Sequence, residues 1–569
     1  MTARRLTVLI LGGYGTFGGR LAFLLAPNPG LDLIIAGRSI EKAEAFIATL
    51  PAGALRTARS IDRGSGLAAA FAAERPDILV DATGPFQAYG PDPYAVVRAA
   101  IDAKINYIDL ADGSDFVEGI GQFDRSAATA GIFVLAGASS FPVLTSAVVR
   151  ALGDDMETID SVAGGIAPSP YAGVGLNVIR AITGYAGQRI RIVRGGEAST
   201  AFALTETRRC TIAPPGRLPL RNTRFSLVDV PDLVLIPRDL PSVRDMWMGA
   251  GPVPEILHRA LNLFAWAVRL RLLPTIAPLA GLCYWAINIF RWGEHRGGMF
   301  VELSGTTRDG HEARRSWHML AEGDDGPLIP SMAVAIVVEK MLEGIVPVAG
   351  ARAATRELEL ADYERAFADR AIFTGRRDDS ASRRMPLYRQ LLGQAWDSLP
   401  RSIRQMHDID GRVVAEGLAD VETGAGYRAS LIRRLVGFPQ AGRNVPVSVT
   451  FDVVDGIEIW TRSFAGVTFS SKQSPGRGRD DRLVIERFGP VRVSLAVVIA
   501  HGQLSLIVRR WSLFGLPLPL GLAPRSEAQE LEANGRFNFR VAISHPWVGL
   551  IVRYRGWLGD PGLSTVERD

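Results

Sequence analysis

The chain has 569 residues, 47 % of them apolar and 22 % charged, with a net charge of +5. That length asks for several domains at roughly 100–200 residues each, and the near balance of charge excludes a nucleic-acid footprint, the basic residues being arginine except for Lys42, Lys104, Lys340 and Lys472. Two cysteines, Cys210 and Cys283, exclude a disulfide framework and a Cys-rich metal site, and fit a reducing compartment.

Arg4 and Arg5 precede an apolar run, but the run is short and ends in glycines with no small-residue cleavage site, so no secretion signal is expected. Residues 6–11 are apolar except for Thr7, which predicts a buried parallel strand, and "GGRLAFLLA" predicts a helix after it. Between them Gly13, Gly15 and Gly18 match G-x-G-x-x-G. At such a strand-to-helix turn the first glycine permits the tight bend, the second lets backbone approach a pyrophosphate, and the third lets helix and strand pack closely. The helix N-terminus offers free N–H groups to the phosphates. The loop Gly13, Tyr14, Gly15, Thr16, Phe17, Gly18 is therefore a candidate dinucleotide cradle.

The next strand, "LDLIIAGRS", ends about 20 residues after Gly18, where an NAD enzyme carries a carboxylate for the ribose hydroxyl. Here the tip is Arg38-Ser39, which suits a 2′-phosphate, so NADP is expected rather than NAD. Strand and helix then alternate through "DILVDATGPF", "NYIDLAD" and "IFVLAGA", which predicts an α/β fold with a Rossmann-type doubly wound parallel sheet over 1–150. Ligands bind such sheets beyond the carboxyl ends of the strands. The informative tips add Asp62, either beside the adenine or on a solvated loop, then Thr83–Phe86 and Asp109–Gly113.

"GGYGTFG", "AGRS", "DATGPFQAYG", "YIDLADGSDF" and "AGASSFPVLTSAVVRAL", in that order and spacing, resemble the saccharopine-dehydrogenase-like oxidoreductases. The resemblance implies a dinucleotide-binding domain followed by an α+β substrate domain. It implies that Gly13, Gly15, Gly18, Arg38 and Ser39 take the NADP phosphates and that Thr83, Gly84 and Pro85 lie by the nicotinamide. The chain departs from the family's commoner form at Asp112 and Ser114, the latter standing where a glutamate is usual.

From 151 to 375 the alternation lapses, and a hairpin about Asp309-Gly310 with a helix near Pro330 predicts an α+β substrate domain on an antiparallel sheet. Within it the segment 256–292 is very apolar and helical, and 272–290 holds no charged residue, with Arg269, Arg271 and Arg291 around it. Three readings stand: a buried or tunnel-forming helix pair, a helix pair at a membrane interface, or a true span. The first two point to a lipid or acyl substrate, and the second to peripheral contact with the inner face of the membrane by an otherwise cytoplasmic protein.

Residues 375–386 read as a linker. Beyond it, one helix over "LYRQLLGQAWDSLPRSIRQMHD" and a series of alternating strands turning at Asp455-Gly456 and His501-Gly502 predict a mostly antiparallel curved-sheet domain over 385–569, able to hold an apolar ligand. This third resembles an uncharacterised bacterial domain often fused behind saccharopine-dehydrogenase-like enzymes.

The expected activity is an NADP(H)-dependent oxidoreductase moving a hydride to or from a hydrophobic small molecule. The alternative is a lipid-binding or assembly protein that has kept a dinucleotide fold without turnover. Proton-transfer candidates at the expected mouth are Tyr107, Asp109 and Asp112, with a packed core tyrosine as the competing reading of Tyr107. The seven histidines are scattered without metal-ligand spacing, so no metal is expected. A homodimer is left open.

Overall fold

A computed structural model of the chain describes residues 4–380 and 385–563. The chain gathers into two compact units, Met1–Arg208 with Arg224–Phe373, and Arg209–Thr223 with Thr374–Asp569.

The first unit holds one seven-stranded sheet and most of a second. In the first, the spatial order is Gly350–Ala353, Phe133–Ala136, Asn106–Asp109, Ile78–Asp81, Leu6–Leu11, Leu31–Gly37, Leu55–Ser60. Every pairing in it is parallel. Chain order reverses between Leu6–Leu11 and Ile78–Asp81, the switch point at which doubly wound sheets bind ligands. The apolar runs follow from burial on both faces. Val8 and Ile10 join one core cluster while Leu9 and Leu11 join another, as side chains alternate across a strand. Leu33 and Ile35 share the first cluster, Ile34 and Ala36 the second. The seventh strand, Gly350–Ala353, arrives from far down the chain to lie beside Phe133–Ala136.

The second sheet runs Thr207–Cys210, Thr223–Leu227, Asp245–Ala250, Met156–Ala167, Arg296–Thr307, Glu312–Glu322, Ile372–Asp378. It is mixed rather than antiparallel throughout, because Met156–Ala167 pairs parallel with Asp245–Ala250 while pairing antiparallel with Arg296–Thr307. The predicted hairpin is present, with Gly310 at φ +79° in its turn.

The apolar segment forms two helices, Glu255–Arg269 and Ala280–Ile289, of 15 and 10 residues. Between them Arg271 sits at φ 60° and Pro274 precedes a single 3-10 turn at Ala277–Leu279. Among the described residues no helix is long and apolar enough to cross a membrane, so the spanning reading of 272–290 falls. Proline removes the donors a continuous helix would need there.

The second unit is a closed antiparallel barrel of ten strands. Closure comes from Gly442–Val454, which pairs with Ile457–Phe464 on one side and with Val413–Thr423 on the other. The helix predicted over 387–408 is broken into Leu387–Leu392, a 3-10 stretch Gly393–Ser398 and Arg401–His407. Gly393 lies at φ 50° and Pro400 caps the last piece, which is why the run cannot stay helical. Of the expected linker, 375–378 belongs to the strand Ile372–Asp378 and 381–384 lie outside the described residues.

Candidate functional site

The glycine loop lies at the switch point. Gly12 turns at φ +79°, and the amides of Gly12 and Gly13 both donate to the Ala36 carbonyl, at 2.8 and 3.0 Å. A Cβ on Gly13 would stand 2.8 Å from the Ile10 carbonyl oxygen, and one on Gly18 would stand 2.3 Å from that of Gly12. These obstacles are backbone, so helix and strand have closed to a distance only glycine allows. Helix Thr16–Leu25 begins after Gly15 with no side-chain cap, and Gly15 and Thr16 are exposed. Uncapped first-turn amides at an exposed glycine turn are what a pyrophosphate requires.

Tyr14 ties this loop to the next strand. Its ring lies over Gly37, where a Cβ would come within 2.4 Å of it, and its hydroxyl accepts from the Ser39 amide at 3.0 Å. Arg38 is exposed, and its guanidinium makes no hydrogen bond or ion pair among the described residues. The Ser39 hydroxyl is already engaged. It caps helix Ile40–Ile47 by accepting from the Lys42 amide and donates to Glu41 at 2.7 Å. Arg38 thus presents an exposed charge at the strand tip, while Ser39 chiefly shapes the turn that presents it. Asp62 is exposed and accepts from the Gly64 amide at 3.2 Å, which makes it a loop-shaping carboxylate here.

Across the switch point, Asp81 ends its strand fully buried. It accepts from the Thr83 amide at 3.0 Å, from the Thr83 hydroxyl at 2.7 Å, and from the Tyr89 hydroxyl. Burial raises its pKa above the usual carboxylate range, and these hydrogen bonds oppose the rise. Asp81 therefore fixes the turn Thr83-Gly84-Pro85 beside the glycine loop, where the Ala82 carbonyl would lie 2.9 Å from a Cβ on Gly12.

A strap from the second sheet's side reaches both loops. Asn177, at the start of helix Leu176–Tyr185, donates to the Gly84 carbonyl at 2.7 Å. A Cβ on Gly175 would meet the Thr16 hydroxyl at 2.6 Å. Arg20 donates to the carbonyls of Ala172 and Gly173 at 2.7 and 3.2 Å. Phe17 packs inward, and its carbonyl accepts from Ser331 at 3.0 Å.

Of the proton-transfer candidates, Tyr107 and Asp109 are each 0 % exposed. Asp109 Oδ1 accepts from the amides of Ala111 and Gly137 at 2.9 and 2.7 Å, joining the ends of two strands. Burial lifts its pKa to about 7. Tyr107 is pushed well above its ordinary value by burial and then by the charge of Asp109. Neither side chain has a surface from which to touch substrate, and Tyr107 is packed as a core residue.

Asp112 is the candidate that does reach the mouth, and it has company the sequence did not reveal. It is half-buried, and its Oδ1 accepts from Gln87 at 3.0 Å, just beyond the Thr83–Pro85 turn. Burial first, and then the neighbouring carboxylate Asp229, raise its pKa. Asp229 is half-buried too, accepts from Ser114 at 2.8 Å, and is raised chiefly by burial and further by Asp115. Tyr185 closes the group, its phenol raised by burial and by both Asp229 and Asp112. Asp112, Asp229 and Tyr185 thus lie close enough for their charges to be felt by one another, each with its pKa raised chiefly by burial. Among the described residues no group of His, Cys, Asp and Glu has a metal-binding arrangement.

Residues 8–135 match the family described as saccharopine dehydrogenase NADP binding domain, and residues 399–558 match the domain of unknown function DUF4166. Among solved structures, the chain is similar to apo saccharopine dehydrogenase from Saccharomyces cerevisiae, at 14 % identity over 66 % of this chain and 99 % of that one, with a TM-score of 0.46. It is also similar to a biliverdin reductase from Synechocystis, in complex with biliverdin and NADP⁺, at 13 % identity over 63 % and 94 %, TM-score 0.29. A third is the WlbA dehydrogenase of Thermus thermophilus, in complex with NAD and α-ketoglutarate, at 13 % identity over 61 % and 90 %, TM-score 0.28. No curated protein matches. The chain thus carries a saccharopine dehydrogenase-type NADP-binding domain at its amino end, built on the Rossmann sheet, and a DUF4166 domain at its carboxyl end.

Proposed function

We propose that the first unit is an NADP(H)-dependent oxidoreductase acting on a hydrophobic substrate of lipid or acyl character. The observation that carries the reading is the pairing of an uncapped glycine turn with an exposed Arg38, unpartnered among the described residues, at the tip of the adjacent strand. The amides of the first turn and the Arg38 guanidinium would hold the diphosphate and the 2′-phosphate. Bound NADPH supplies a hydride.

The chain's own contribution is proton handling and alignment. Asp112 and Asp229 disfavour double ionisation, so the pair retains a proton to higher pH than a lone aspartate. One of them in the acid form can donate to a carbonyl or imine as charge develops on it. Gln87 and Ser114 orient the two carboxyls, and Asn177 holds the strap against the Thr83–Pro85 turn. The apolar substrate class is supported by the helix Ala280–Ile289, which packs on Leu176–Tyr185, the helix carrying both Asn177 and Tyr185.

Fluorescence titration of the full chain with NADPH and NADH tests the cofactor. NADPH is expected to bind at least about tenfold more tightly, and Arg38→Ala to remove that preference, as loss of charge-assisted hydrogen bonds of about 1.5–3 kcal/mol implies. Absence of binding by either nucleotide overturns the proposal. NADPH oxidation with long-chain ketones, imines and enoyl thioesters tests the substrate. Tight nucleotide binding with no oxidation across all three classes would favour the lipid-binding alternative.

A further inference from the structure

Helix Glu255–Arg269 buries two polar residues, His258 and Asn262, beside Ala265 and Val268. His258 Nε2 lies 2.7 Å from the Ser226 hydroxyl, and Asn262 donates to that hydroxyl at 2.8 Å and to the Leu204 carbonyl at 2.9 Å. Both residues are buried. Its outward face is apolar, with Leu263 71 % exposed. The same character continues through the turn, where Leu272 is 73 % exposed, and into helix Ala280–Ile289, where Trp285 is 54 % exposed. A helix that faces water places these classes the other way round. Large apolar side chains bared over one continuous stretch mark an interaction surface.

Charge narrows what covers it. Residues 256–293 include Arg259, Arg269, Arg271 and Arg291 and no aspartate or glutamate. Arg259 is paired with Glu255 at 2.7 Å, and Arg269 lies over the rings of Phe202 and Trp266. Arg271 and Arg291 have no acidic partner among the described residues, and both are exposed. A second copy docked by a two-fold axis would bring this same basic patch against itself, with no carboxylate of the segment 256–293 to oppose the arginines. Headgroup phosphates complement them, and exposed Trp266, Trp285 and Trp292 suit the boundary between headgroups and acyl chains.

We infer that the segment 256–292 is a docking surface for an anionic phospholipid bilayer, apolar side chains entering the interface and arginines meeting the phosphates. The inference stands on the exposed face itself and does not depend on which substrate the enzyme takes.

Co-sedimentation of the full chain with phosphatidylcholine vesicles, with and without phosphatidylglycerol, tests it. Binding is expected to be at least about tenfold stronger to the anionic vesicles, to weaken with salt, and to shift tryptophan emission to the blue. Leu272→Asp with Trp285→Asp should abolish it. Arg271→Ala and Arg291→Ala should each weaken anionic binding about fivefold, as about 1 kcal/mol per charge implies. No binding to anionic vesicles, or equal binding to both kinds, overturns the inference. So does a dimer in sedimentation velocity that the double aspartate variant dissolves, since the face would then belong to a second copy. NADPH titration of the same samples reports folding. A parent chain that binds NADPH but no anionic vesicles sinks this inference and leaves the cofactor reading intact, whereas a double aspartate variant that keeps NADPH binding while losing docking supports it.

Discussion

Gly18 has no room for a methyl group, because the atoms it would meet at 2.3, 2.9 and 3.0 Å are backbone atoms of Gly12 and Gly13. Gly18→Ala should destabilise the first unit by about 1–3 kcal/mol and weaken NADPH binding at least about tenfold, read by urea unfolding and fluorescence titration. An unchanged titration would mean that the turn does not hold the nucleotide. Asp112 and Asp229 make a second prediction at this scale. Asp112→Asn or Asp229→Asn keeps the shape of the side chain and removes its proton, so turnover should fall about 100-fold or more with little change in nucleotide affinity. A parallel loss of NADPH binding would show that the residues serve the fold instead. The glycine set was legible in the sequence because its steric demand is local, a turn between one strand and one helix. The carboxyl pair was legible only by half. Asp112 lies on a recognisable strand tip, whereas Asp229 reaches it across a sequence separation like that of its hydrogen bond with Ser114, 115 residues, and no local pattern marks it.

Two strands of the first sheet end in a buried aspartate that fixes the loop beyond it, Asp81 and Asp109, and burial raises the pKa of both. An aspartate in an unfolded chain titrates near 3.9, while Asp109 in the fold titrates at about 7. The folded chain therefore binds more protons than the unfolded one between those values. Its contribution to stability is complete below about pH 4 and is lost as the pH rises through about 7. Asp232, also fully buried and also raised to about 7, acts with the same sign. Asp109→Asn keeps Oδ1 as acceptor for the Ala111 and Gly137 amides and cannot ionise. Urea unfolding should show the variant losing less stability than the parent between about pH 5 and about pH 8, by up to a few kcal/mol. Equal slopes would contradict the assignment. Element by element, the strands were readable from their apolar runs, but the barrel interior was not. Glu458, Ser471, Gln473 and Glu486 are buried on strands where alternation predicts apolar residues inside. They face inward because Tyr388 reaches Gln473 at 2.9 Å and Glu458 takes the Leu387 amide at 3.3 Å and the Trp460 indole at 3.1 Å. His407 meets Glu530 from the other side of the sequence at 2.5 Å. A network assembled from two short helices and four strands leaves no period to detect.

At the scale of the whole chain, the second unit is not a carboxyl-terminal appendage that can be cut away. It includes residues 209–223, inserted between two strands of the first unit's second sheet. Within the second unit, Gly216 accepts from the Ile499 amide at 2.8 Å, and a Cβ on it would lie 2.9 Å from that of Ala395. Arg377, nearly fully buried, donates to the Ala213 carbonyl at 2.8 Å and to the Leu391 carbonyl at 2.7 Å. Burial lowers its pKa to about 9, so it remains a cation at neutral pH and needs both acceptors. A chain ended before residue 385 would lose the Leu391 and Ile499 partners while retaining the buried apolar residues Ile212 and Leu220 and the charge of Arg377. The truncated protein should therefore be poorly soluble or melt well below the parent, even though every residue of its Rossmann sheet is present. Arg377→Met in the full chain separates the two causes. It removes the charge that requires acceptors, leaves the Ala213 and Leu391 carbonyls short of a donor, and should lower stability by about 1–3 kcal/mol without aggregation. Thermal melts and size-exclusion profiles of the two proteins decide the point. A truncated chain that is monomeric and as stable as the parent would show that the 209–223 segment does not depend on the barrel.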